Sequence, residues 1–337
     1  MAADLFEDQF AAALTAAADE SASPAERVEM LMEIAMGLQM RPKGPAQLQA
    51  AASLCDKALA LCPADDALLR ARVVARKATA LQAIPSEDPA MLEEALALYG
   101  DALPVFQELG RPEERAEAEM NLGLVLQTLA GMNRARITDA ISAYQRALRV
   151  FDRAQFPKEF AILQNNLATA FLSIPLSDER AKMREALAVQ AFEEGLRVVN
   201  IVDHPVEYAM LQNNLGNALQ YVSSAHRLMN NLRALGAYDE ALKVRTRETM
   251  PLEYANTLTN RANCLQNLPD EPERPETGNP VNLLRTKAGF SEAREIFMAH
   301  GETTKARIVG EAVFQLEREL MDAPAANGGG LRPPGHA

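Results

Sequence analysis

The sequence predicts an all-α fold, an α-solenoid of about six stacked helix hairpins followed by one closing helix. Three observations predict it. A proline-led segment recurs four times, with Asn121, Asn166, Asn214 and Asn260 each nine residues after Pro112, Pro157, Pro205 and Pro251. A second segment alternates with it, placing a ring or a thiol four residues after a small side chain. Apolar residues fall at i, i+4, i+7 and i+8 with no alternation of period two, so both segments are helical faces rather than strands. A chain of 337 residues would also admit about two compact domains, but self-similarity at fixed spacing decides for an array.

In chain order, residues 4–19 (DLFEDQFAAALTAAAD) read as an extra helix within an N-terminal capping arm of residues 1–23. The solenoid is expected over 24–322, with hairpins beginning near Pro24. Its second helices carry CDKAL from Cys55, YGDAL from Tyr99, YQRAL from Tyr144, FEEGL from Phe192, YDEAL from Tyr238 and FSEAR from Phe290, spaced by 44, 45, 48, 46 and 52 residues. Ala51, Ala95, Ala140, Ala188, Ala234 and Thr286 precede these by four. Small residues at the crossing points let the helices approach, and the ring fills the gap opposite.

The first helices read PEERAEAEMNLGLVL, PKEFAILQNNLATAF, PVEYAMLQNNLGNAL and PLEYANTLTNRANCL. Proline suits a first helical turn, where its missing N–H costs nothing. Glu113, Glu114, Glu159, Glu207 and Glu253 then sit at the positive end of the helix dipole. Each proline follows the preceding ring (Tyr99, Tyr144, Phe192 or Tyr238) by 13 residues, so the two segments form one hairpin that buries its apolar face against its neighbours. Leu268 to Asn282, with four prolines and four acids, reads as a long loop. Thr303 to Met321 is the closing helix, and 323–337 has the composition of a disordered tail.

NLGLVL, NNLATAF, NNLGNAL and TNRANCL, together with A-x-x-x-[Y/F/C]-x-x-[A/G], resemble tetratricopeptide (TPR) repeats over roughly residues 24–320. Units of 44–52 residues, longer than the usual 34, are similar to the kinesin-light-chain-type and bacterial TPR subgroup. The resemblance implies a right-handed solenoid whose first helices line a concave groove, and a non-catalytic adaptor, scaffold or assembly chaperone. It also implies that Asn121, Asn166, Asn214 and Asn260 form an amide ladder with rungs about 10 Å apart. Amides both donate and accept, so such a ladder can hold the backbone of an extended peptide. Asn165, Asn213, Asn217 and Asn263 lie beside it, and Arg261 could add one groove charge. The same asparagines could instead tie adjacent helices together. Lys and Arg are missing from the neighbouring positions Met120, Asn165, Asn213 and Thr259, so a carboxylate clamp is not expected.

Composition narrows the partners. With 34 Lys+Arg against 46 Asp+Glu the net charge is −12, which opposes nucleic-acid phosphates and anionic membrane and favours a protein partner bearing basic residues. Cys55, Cys62 and Cys264 have no zinc spacing and read as reduced thiols, the N-terminus lacks a signal-peptide pattern, and a cytoplasmic location is expected. No phosphate loop, nucleophile elbow or H-E-x-x-H motif is present, so neither enzymatic activity nor a cofactor or metal is expected. Met30, Met32, Met36 and Met40 read as core. A peptide- or metabolite-sensing regulator and a self-associating protein that uses an end helix or the Met-rich N-terminal hairpin are the other readings, and a homo-oligomer is compatible with either.

Overall fold

The computed structural model describes residues 11, 14–15, 17–18, 21–40, 42, 44–175, 179–222 and 226–322. Among them are thirteen α-helices, one 3-10 turn and no strand. Unit 1 (1–177) holds α1 (Pro24–Met40), α2 (Pro45–Leu61), α3 (Ala67–Ala83), α4 (Ala90–Glu108), α5 (Pro112–Gly131), α6 (Ile137–Ala147) and α7 (Pro157–Leu172). Unit 2 (178–337) holds α8 (Glu179–Leu196), α9 (Pro205–Tyr221), α10 (Arg227–Leu242), α11 (Pro251–Gln266), α12 (Pro280–Ala299) and α13 (Thr303–Asp322). The tail at 323–337 and, of the helix expected over 4–19, residues 4–10, 12–13, 16 and 19 lie outside the described residues.

The helices start where the sequence places them. Pro112, Pro157, Pro205 and Pro251 each open a helix at its first position. The turn before three of these is closed by a side chain at one repeat position. Asp152 Oδ1 accepts the Ala154 and Gln155 N–H groups at 2.7 and 3.0 Å, Asn200 Oδ1 accepts those of Val202 and Asp203 at 2.9 Å, and Thr246 Oγ1 accepts that of Thr249 at 3.2 Å.

Within unit 1, α1/α2, α3/α4 and α5/α6 are antiparallel pairs, and α7 packs on α6. In unit 2 the pairs are α9/α10 and α11/α12; α8 packs on α9, and α13 packs on α12. The rings at the repeat position (Tyr99, Tyr144, Phe192, Tyr238 and Phe290) are all buried. Two of them enter a notch cut by glycine. A Cβ on Gly123 would lie 2.3 Å from the Tyr144 ring, and one on Gly216 would lie 2.6 Å from the Tyr238 ring.

The buried hydroxyls are satisfied by the first helix of the same pair. Tyr99 Oη lies 2.9 Å from Thr79 Oγ1, Tyr144 Oη donates to Gln127 Oε1 at 2.8 Å, and Tyr238 Oη donates to Asn217 Oδ1 at 2.7 Å. Two residues past the ring, a charged side chain ties the pair again. Arg146 forks onto Glu119 with both contacts at 2.7 Å, while Tyr208 and Tyr254 donate to Glu240 and Glu292 at 3.0 and 3.1 Å.

The acidic proline-rich segment before α12 is tied down rather than open, and α12 already begins at Pro280. Asp270 accepts the N–H groups of Val281 and Asn282 at 2.8 and 2.7 Å, and Asn282 Nδ2 reaches the carbonyls of Leu268 and Pro269 at 3.1 Å. Ahead of α1, Leu14 and the buried Ala17 pack on the core of unit 1, and Arg27 Nε donates to the Ala17 carbonyl at 2.6 Å.

All three cysteines are free thiols. Burial pushes Cys55 up to about 12 and Cys264 up to about 11, and raises the less buried Cys62 as well. A raised thiol pKa keeps the unreactive protonated form at pH 8. In the native protein at that pH, Cys55 should therefore react with iodoacetamide at least about a hundredfold more slowly than in the unfolded chain. Cys62 should be labelled first, as read by peptide mass spectrometry.

Candidate functional site

In unit 1 the first helices α1, α3, α5 and α7 touch one another in order, so equivalent positions line one face. Counting back 45 residues from Asn121, the spacing between Tyr99 and Tyr144, lands on Arg76. Arg76 and Asn121 are therefore the same repeat position, nine residues past the helix starts at Ala67 and Pro112, and Glu33 holds that position in α1. Arg76, Asn121 and Met32 of α1 line one cavity of about 260 Å³, joined by Arg72, Arg111, Glu114 and Glu117. An adjoining cavity of about 250 Å³ shares Met32, Arg72 and Arg76 and adds Glu29, Glu33 and Met36. The methionines read as core thus belong partly to this face: Met32 is half-buried at the junction of the two cavities, and Met36 and Met40 are exposed.

Electrostatics divides the three arginines. Glu114 accepts from Arg72 Nε at 2.7 Å and lies 3.5 Å from Arg111 Nε. The Arg72 hydrogen bond is the main cause holding the Glu114 carboxyl below the usual range, with the Arg111 backbone N–H at 2.9 Å adding to it. Arg72 and Arg111 thus share one carboxylate, with Arg72 the closer partner. Arg76 has no carboxylate within ion-pair distance among the described residues, and its half-buried guanidinium keeps five N–H donors one helix away from the Asn121 amide. Glu29 and Glu33 give the α1 side the opposite sign, so this face carries both charges.

The remaining asparagines hold each other. Asn165 Nδ2 donates to Asn166 Oδ1 at 3.2 Å inside α7, both residues are buried, and Asn166 Nδ2 has no acceptor among the described residues. In unit 2, Asn260 Nδ2 donates to Asn213 Oδ1 at 3.2 Å and Asn213 Nδ2 donates to Asn214 Oδ1 at 3.1 Å, which ties α11 to α9. Asn217 accepts the Tyr238 hydroxyl at 2.7 Å, and Asn263 stands half-buried on α11. Arg261 Nε is paired with Asp239 of α10 at 2.6 Å. The structure thus brings Asn213, Asn214 and Asn260 together, gives Asn217 and Arg261 partners on α10, and sets Asn121 in a cavity.

Comparison with known proteins adds the following. Among solved structures the chain is similar to the nearly identical, kinesin-light-chain-type TPR-like repeats of Podosopora anserina, with 18% identity over 67% of this chain and 98% of the other and a TM-score of 0.46. It is similar to BtubC (BKLC) from P. vanneervenii, with 19% identity over 88% and 96% and a TM-score of 0.47. It is also similar to Rap protein complexed with competence and sporulation factor, with 11% identity over 88% and 76% and a TM-score of 0.44. No family model and no curated protein matches the chain. The successive helix-pair packing is TPR-like.

Arg76 and Arg72 are cavity-lining residues that motif reading missed. The Asn-Leu-Gly string is absent from α3, yet the ring spacing alone carries the register back to residue 76. Chemically, the TPR-like face of unit 1 offers amide and guanidinium donors beside a pair of carboxylates. Among the described residues no three His, Cys, Asp or Glu side chains converge to hold a metal, and no helix is long and apolar enough to cross a membrane.

Proposed function

We propose that this chain is a non-catalytic protein-interaction module that holds an extended segment of a partner protein on the first-helix face of unit 1. One observation carries the reading: Arg76 and Asn121, at the same repeat position on adjacent helices, share a cavity, and the guanidinium there has no carboxylate within ion-pair distance among the described residues. Its donors suit peptide carbonyls or a side-chain carboxylate. Glu29 and Glu33 suit a basic residue further along the segment, in keeping with the net acidity of the chain.

The test begins with peptides selected against the full chain from a random display library. Synthetic copies are then measured by calorimetry against the protein and against the Arg76→Ala, Asn121→Ala double variant. Affinity should fall tenfold or more with helicity unchanged. Equal affinity for both proteins would remove unit 1 as the site. The Asn166→Ala, Asn214→Ala pair, measured alongside, separates a ladder running along the whole array from a site confined to α1, α3 and α5.

A further inference from the structure

The spacing that organises the repeat continues past its last complete hairpin. Thr303, the first residue of α13, follows the Phe290 ring by 13 residues, as Pro251 follows Tyr238. α13 therefore stands in the register of a first helix, and among the described residues no second helix follows it. In complete pairs, the residues 4, 7, 11 and 14 beyond the helix start face the helix's own partner: Ala209, Gln212, Gly216 and Leu219 in α9, and Ala255, Leu258, Ala262 and Leu265 in α11. Gly216 against Tyr238 and Ala262 and Leu258 against Gly289 show that contact. Residues 6 and 13 beyond the start face the preceding hairpin instead, as Thr257 does towards Arg245 and Cys264 towards the Asn231 carbonyl.

The same count divides α13. Val309 and Leu316 face the preceding hairpin and are buried. The stripe that no other helix covers among the described residues is Arg307, Gly310, Phe314 and Glu317, which together with Met298 and Arg294 of α12 lines an open cavity of about 730 Å³. Phe314 and Met298 are 64% and 61% exposed there. A second helix built like the others cannot dock, because Phe314 fills the position that is Gly or Ala in α5, α7, α9 and α11, and charges stand at both ends.

Those departures make the stripe complementary to itself. When two copies of α13 lie antiparallel about a two-fold axis, the register that sets Gly310 of one against Phe314 of the other also sets Arg307 against Glu317. Large meets small and positive meets negative in a single alignment, and each contact occurs twice, as an isologous interface requires. Arg294, whose Nε lies 3.1 Å from where a Gly310 Cβ would be, is placed under the incoming Phe314 ring for a cation–π contact. The present pairs Arg307–Glu311 at 2.6 Å and Lys287–Glu317 at 2.9 Å are solvent-exposed and hold these charges only weakly.

We propose that two copies of this chain associate through α13 in this antiparallel register, with the second copy covering the α12/α13 cavity of unit 2. The inference is independent of the groove in unit 1. Sedimentation of the full chain at about 1 to 100 µM, a range that brackets a micromolar Kd, should show the mass rising from 36.7 kDa towards twice that value. Phe314→Ala should weaken association at least about tenfold. Arg307→Glu alone and Glu317→Arg alone should each weaken it, because like charges then face each other, and the two together should restore it. Circular dichroism should be unchanged throughout, since these side chains reach solvent. A wild-type chain that stays monomeric, a dimer indifferent to Phe314→Ala, or a double charge exchange no tighter than the single ones would each overturn the proposal.

Discussion

Gly123→Ala should destabilise the protein by about 3 kcal/mol, the upper end of overpacking costs, as read by urea denaturation. The added Cβ would stand 2.3 Å from one Tyr144 ring carbon and 2.6 Å from the next. The ring cannot retreat without loss, because its hydroxyl is anchored on Gln127 at 2.8 Å, and Gln127 in turn donates to Thr169 of α7 at 3.1 Å. The sign makes the test decisive. Helix propensity alone would make the same substitution stabilising by about 1 kcal/mol. Gly236→Ala in α10 supplies the control, since a Cβ there meets nothing within 4 Å and a modest gain is expected. If Gly123→Ala behaved like Gly236→Ala, the notch would have no role in setting the helix spacing.

That notch also shows how far a sequence can carry such a fold. The recurrence of Asn-Leu-Gly followed by a ring names which residue is small, which is large and which helices carry them, and α13 begins at the residue the spacing dictates. The closing position of the array is legible for the same reason: one repeat register runs through every first helix. Hydrogen-bond partners are less legible. Asn213, Asn214 and Asn260 look alike in the motif, yet Asn213 joins both of the others, and that depends on side-chain rotamers on helices 47 residues apart in the chain. Arg76 was hidden because α3 lacks the asparagine string and only the ring spacing marks its position. Arg261, read as a groove charge, is drawn to Asp239 because an acid lies within reach on the neighbouring helix.

The second large effect is expected where one repeat breaks its own pattern. Seven residues past the ring, the chain buries Phe106, Phe151, Val199 and Phe297, but after α10 this position is Arg245. Six residues into the next first helix, Leu163 and Leu211 give way to Thr257. The two exceptions meet: an Arg245 terminal nitrogen donates to Thr257 Oγ1 at 2.9 Å, while the buried Arg245 Nε has no acceptor among the described residues. Burial is the main cause lowering the Arg245 pKa, with Glu253 opposing it, so the cation is held where solvation is poor.

Replacing a buried polar pair by well-packed apolar residues commonly stabilises by about 1–4 kcal/mol. Arg245→Val with Thr257→Leu restores the Val199–Leu211 pattern and should raise the urea midpoint accordingly. Thr257→Leu alone should lower it, because the guanidinium then loses its acceptor while remaining buried. A double variant less stable than the parent would show that the arginine stabilises this hairpin junction through packing of its aliphatic stem, which valine is too short to replace.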